Sequence, residues 1–165
     1  MNKPSGGFAT VGALLSLLML SACGQGGGAG SAEELETPEG EAFLYRQAVM
    51  RVAQKKMGTI GAMARGEAPL DEEVFVKATQ DLAAIAGMLE EGFMPEGIAP
   101  GSRSLPEVWT NWADFQQKAG ELESAAQGLA DAAMTGGFGA AQGLVQGTAG
   151  TCGGCHRTYR ERTEE

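Results

Sequence analysis

Four stretches of this chain place apolar residues at alternating intervals of three and four, a period that fits helices packed along one face and little else. In the first, about 41–65, Phe43, Arg46, Met50, Ala53, Met57, Ile60 and Ala64 share that face, and Gly66 and Pro69 stop it. In the second, about 71–91, the stripe is Phe75, Ala78, Leu82, Ile85 and Leu89, with Asp71 as N-cap and Glu72 and Glu73 in the first turn. A Gly- and Pro-rich loop follows, 92–103. The third stretch opens on Ser104-Leu105-Pro106-Glu107, which fits a capping box, and carries Val108, Trp112, Phe115, Ala119, Leu122, Ala126, Leu129 and Ala133 up to Gly136-Gly137. The fourth carries Phe138, Ala141, Val145, Thr148, Cys152, Cys155 and Tyr159. Short connections between helices of this period predict an all-α fold, an antiparallel four-helix bundle.

Composition agrees. Glycine is abundant at 26 residues and aromatics are only 6%, which disfavours a sandwich or barrel. The fourth helix is odd, because Gly139, Gly143, Gly147, Gly150, Gly153 and Gly154 each cost about 0.5–1 kcal/mol against alanine in a helix interior. Something beyond propensity must hold it, and small residues also let a flat group lie against the backbone. The net charge is −9, or −10 once a leader containing Lys3 is removed, so no electrostatic footprint for nucleic acid is present.

Residues 1–22 read as an export signal. Lys3 is the only charge, and the apolar run from Phe8 to Leu20 is short for a membrane span. It ends in Leu20-Ser21-Ala22-Cys23, which resembles the bacterial lipobox, in which the cysteine is acylated. Residues 23–40 then form a flexible tether, almost all Gly, Ala, Ser and Gln as far as Ser31. The reading is a periplasmic lipoprotein anchored through Cys23; the alternative is an ordinary signal cut near Ala22. The folded domain is 41–165, outside the cytoplasm in either case.

Cys152-Gly153-Gly154-Cys155-His156 is a C-x-x-C-H sequence, the attachment signature of c-type haem. On a helix, positions three apart face the same way, so both sulfurs reach one edge of a porphyrin and add to its two vinyl groups. His156, the only histidine, follows on the same side and serves as the proximal iron ligand. A thioredoxin-like pair would sit in a βαβ pattern that is missing here. Zinc would need a fourth ligand, and Cys23 belongs to the leader. A disulfide between Cys152 and Cys155 would constrain almost nothing.

The motif ends the last helix instead of opening the chain, and Tyr159 and Arg160 follow it. This arrangement resembles the class II cytochromes c, and among them the cytochrome c′ family. The resemblance covers about 41–162. It rests on Tyr45-Arg46-Gln47 in the first helix, Arg65-Gly66 after it, Pro106-Glu107-Val108-Trp109 opening the third, and above all the run from Cys152 to Arg160.

The resemblance implies one covalent haem c per chain, a homodimer, and five-coordinate iron that binds NO and CO or passes electrons. It places Met50 over the open face of the iron, without a bond in the preferred reading. The alternative is a low-spin, six-coordinate electron carrier in which Met50 supplies the sixth ligand. Arg46, with Gln47 beside it, pairs with a haem propionate; an unpaired charge on an apolar stripe would otherwise be costly. Arg160 lies four residues after His156, on its helical face, and influences access to the proximal side. Arg103 is a weaker propionate candidate. Tyr159, Trp109, Trp112 and Phe115 read first as core. The only histidine is already used, so peroxidase-like catalysis lacks its usual polar group, and the chain is read as no enzyme. A redox partner is expected but not identified, and the acidic surface would orient a basic one. Apolar residues left over on the first two helices, Val49, Met63 and Val74, support the dimer.

Overall fold

The computed structural model describes residues 35–162; Cys23, the leader and the tether up to residue 34 lie outside them. Its helices are α1 (Pro38–Ala64), α2 (Glu72–Ala86), a 3-10 turn (Glu90–Phe93), the short α3 (Glu107–Thr110) and α4 (Trp112–Tyr159). α4 is not one rod. Gly137, at φ 65° and ψ −160°, divides it into an arm of residues 112–136 and an arm of residues 138–159. α1, α2 and these two arms are the four helices of the bundle.

Contacts between the helices fix their directions. Asp114 meets Tyr159 and Ala125 meets Thr148, pairs placed symmetrically about the Gly136–Gly137 turn, so the two arms fold back on each other. Lys56 pairs with Asp81, and Arg46 reaches Gly92, so α1 and α2 are likewise antiparallel. Gln80 meets Met134 on the first arm and Phe75 meets Phe138 at the start of the second, which sets α2 against both.

Ile60, Phe75, Ala78, Leu82, Ala86, Ala126, Leu129, Ala133, Ala141 and Val145 form the main core, with Met57 and Met63 packed on it. Each large side chain buried there contributes about 1.5–3 kcal/mol. The Phe75 and Phe138 rings meet edge to face at 5.0 Å. The buried hydroxyls of Thr79 and Thr148 donate to carbonyls of their own helices, Val76 at 2.7 Å and Leu144 at 3.1 Å, so neither is stranded.

Three helix ends differ from the sequence reading. α1 starts three residues earlier, at Pro38, because Thr37 Oγ1 accepts the Gly40 N–H at 3.1 Å and proline suits the first turn. The last residues of the expected tether are therefore helical. α2 stops at Ala86 and not near Glu91, since the chain turns at Gly87 and then tightens into the 3-10 turn. The capping box at Ser104 does not form. Ser104 pairs instead with Arg160 in an antiparallel bridge, and α3 is a single turn that breaks at Asn111.

The glycine-rich last arm is held by an outside residue. Glu72 Oε1 accepts the Phe138 N–H at 2.6 Å and brings a carboxylate to the N-terminus of the arm. A Cβ at Gly137 would lie 2.2 Å from that oxygen, so both the positive φ and the close approach require glycine. Gly139, Gly143, Gly147 and Gly150 behave differently: a Cβ at any of them would meet nothing within 4 Å. They face outward.

The dimer argument also changes. Val49 is buried and Met63 packs on the core; of the residues named only Val74 is exposed, alongside Leu44 and Val52.

Candidate functional site

At the end of the bundle away from Gly137, a second cluster gathers Phe93, Val108, Phe115 and Tyr159, with Met50, Trp109, Trp112 and Cys155 half-buried against it. Five parts of the chain meet here: α1, the 3-10 turn, α3 and both arms of α4. Trp109 and Trp112, read first as core, thus stand in the same cluster as Cys155 of the C-x-x-C-H motif.

Cys152 and Cys155 are free thiols, half-buried one turn apart on the last arm. Cys152 Sγ donates to the Thr148 carbonyl at 3.7 Å. Burial pushes both thiols above their ordinary pKa. His156 follows, half-buried. Burial, then the charges of Arg160 and Arg103, hold its pKa below the ordinary value and keep a lone pair free on the ring.

Arg46 is 5% exposed. Its Nη1 donates to the Gly92 carbonyl at 2.9 Å, while Nε and Nη2 are buried without a partner among the described residues. The guanidinium carbon lies 5.1 Å from the Phe93 ring centre and 6.0 Å from that of Trp109. Desolvation lowers its pKa. The close fit requires glycine at position 92, where a Cβ would come within 2.8 Å of Tyr45 and 3.1 Å of Arg46. Gln47 stands beside Arg46 on α1, half-buried.

Tyr159 is buried and donates its hydroxyl to Asp114 Oδ2 at 2.5 Å. Burial and that carboxylate push its pKa up to about 12. Its ring meets Phe115 edge to face at 5.4 Å, and Phe115 stacks on Trp112. Past Tyr159 the chain leaves the helix. Leu105 N–H donates to the Tyr159 carbonyl at 3.0 Å, and Glu161 N–H to the Arg103 carbonyl at 2.9 Å. Arg160 is thus extended, not on the helical face of His156 as its spacing suggests. It still lines an open groove of about 460 Å³ with His156, Arg103 and Arg157.

The sequence reading misses four contributors. Gly92 and Phe93 sit in a stretch read as loop, where no period marks them. Asp114 lies off the apolar stripe of its helix and meets Tyr159 only because the arms fold back. Glu72 looks like an ordinary first-turn carboxylate of α2.

The residues fit a covalently attached haem. Two free thiols lie one turn apart with an imidazole after them, Cys155 packs on the aromatic cluster, and Arg46, against Phe93 and Trp109, brings two unpaired buried donors that an anionic propionate would satisfy.

The comparisons point the same way. The family model described as cytochrome c′ matches residues 41–160. Cytochrome c-554 of Cereibacter sphaeroides is 36% identical over 121 residues, covering 71% of this chain and 78% of the relative. The crystal structure of cytochrome c′ from Rubrivivax gelatinosus superposes with a TM-score of 0.69 at 30% identity, covering 74% of this chain and 97% of that one. The nitric oxide complex of a variant cytochrome c′ from Alcaligenes xylosoxidans shares the fold, with a TM-score of 0.66 at 24% identity over 74% of this chain and 95% of that one. The chain belongs to the cytochrome c′ family, whose cofactor is covalently attached haem c.

Proposed function

We propose that this chain is an exported haem c protein of the cytochrome c′ type, with one side of the iron left to small uncharged gases. Cys152 and Cys155 hold the porphyrin through thioethers, and His156 is the proximal ligand. Arg46 anchors a propionate, with Gln47 beside it, and Arg160 flanks the imidazole. Met50 covers the opposite face without bonding. When bound, the haem supplies an iron that accepts an electron and takes NO or CO as a ligand. The Alcaligenes protein, solved as its nitric oxide complex, supports the choice of gas.

The observation that carries this reading is Arg46. A guanidinium 5% exposed, with two nitrogens unpaired, is costly unless an anion completes it. It lies against Phe93, the ring that heads the cluster shared by Met50 and Cys155. The walls of that cluster are mostly apolar, and the Tyr159 hydroxyl is committed to Asp114, which suits gas binding and electron transfer better than proton-transfer catalysis.

Absorption spectra of the haem-loaded protein, ferric and ferrous, with and without NO, test it. A high-spin spectrum that changes with NO is expected. A low-spin spectrum with a sulfur-to-iron band and little response would establish the six-coordinate alternative, with Met50 as ligand.

The assembly and location belong to the same proposal. The leader directs the chain to the periplasm, where acylation of Cys23 anchors it; among the described residues no helix is long and apolar enough to cross a membrane. Exposed Leu44 and Val52 on α1, with Val74 on α2, supply the surface for a homodimer.

A further inference from the structure

We infer that the groove formed by Arg103, Arg157, Arg160 and Arg162 beside His156 is the docking surface for an acidic redox protein, an inference that rests on the haem reading above. The sequence alone suggests the opposite, since a chain at −10 without its leader should attract a basic partner. The fold overrides that average. Three of these arginines come from the residues after the motif, and the fourth is carried to them from the loop before α3. What carries it is the pairing of residues 103–105 with residues 159–161, together with the bond from Arg103 Nη2 to the Glu161 carbonyl at 2.6 Å.

Among the described residues the charges of these arginines are also unpaired. Elsewhere, Lys56 and Lys77 pair with Asp81, Arg65 with Glu67, and Lys118 with Asp114. Among the described residues none of the four groove arginines has a carboxylate partner, and Glu161 is the single acidic residue lining the groove with them. Arg157, Arg160 and Arg162 are exposed. Among the described residues the result is a basic spot on an acidic molecule, placed where the C-x-x-C-H motif reaches the surface. Such asymmetry turns an incoming acidic protein toward that spot, and steering of this kind raises association rates about 10- to 1,000-fold. The groove is open and none of its arginines is deeply buried, which favours a broad protein surface over a single small anion.

The haem-loaded full chain tests this with dye-labelled poly-L-glutamate as the probe, followed by fluorescence anisotropy. Binding is expected to weaken about tenfold between about 20 and 200 mM salt. The pair Arg157→Glu and Arg162→Glu should weaken it about tenfold or more, while Arg51→Glu with Lys55→Glu, the same change of charge on α1, should weaken it by less than about twofold. Equal loss in both pairs, or no binding by the parent protein, overturns the inference. So does arginine-dependent binding to phosphatidylglycerol vesicles without binding to polyglutamate, which would make the groove a lipid contact. The haem reading is judged separately from the absorption spectrum: a protein with a normal haem c spectrum that ignores the probe loses the docking surface alone.

Discussion

Near Gly137, Ile60, Phe75, Leu129 and Ala141 have no exposed surface, and every buried hydroxyl has an acceptor. At the opposite end both cysteines, His156, Met50 and Trp109 stay half-buried, and Arg46 keeps two buried nitrogens unpaired. The first end is completed by side chains the chain itself encodes. The second has the composition of a protein wall built around something else: aromatic faces, two thiols, an imidazole and one stranded cation. Burial therefore has two meanings in this molecule. Near Gly137 it measures stability, and near His156 it measures fitness for a guest.

Four variants probe that division. Replacing Cys152 and Cys155 together by alanine should abolish covalent haem, read as complete loss of haem staining after denaturing electrophoresis; retained staining would refute the attachment sites. Leu129→Ala should cost about 2–5 kcal/mol in urea unfolding and leave the absorption spectrum unaltered, because the cavity opens in the closed end. Arg46→Met should split by state. The haem-loaded protein loses about 1–3 kcal/mol, the haem-free chain loses nothing or gains, and an equal loss in both would mean that Arg46 serves the fold alone. Tyr159→Phe should cost about 1 kcal/mol. Its pKa rises on folding, so its contribution is complete below the unfolded value near 10 and disappears as pH climbs through about 12. Unfolding curves at rising pH should therefore converge for parent and variant.

The closed end was largely legible in the sequence. Phe75, Ala78, Leu82, Ala126, Leu129 and Val145 follow a helical period, and period is what burial imposes on a helix. The guest end was legible only where chemistry forces a spacing or a resemblance supplies the residue. Cys152, Cys155, His156 and the pair Arg46 and Met50 could be named from the chain, the last two by resemblance. Phe93, Gly92 and Asp114 could not, because each is brought in by a turn or by the folding back of an arm, neither of which leaves a period. The failed capping box at Ser104 has a similar cause: a local signal lost to a backbone pairing with residues more than fifty positions away.

The reversal at Gly137 has one further consequence, for where the chain tolerates a change of length. One residue makes the whole turn, with Glu72 against it and no slack on either side. Inserting or deleting a residue between Gly137 and Thr148 would rotate everything beyond by about 100° and shift it by about 1.5 Å along the axis. Cys152, Cys155 and His156 would then be swung off the inward side, although none of them had been touched. The aim of the motif is set from the far end of its helix, so any spare length in this protein belongs in the loop between the 3-10 turn and Arg103.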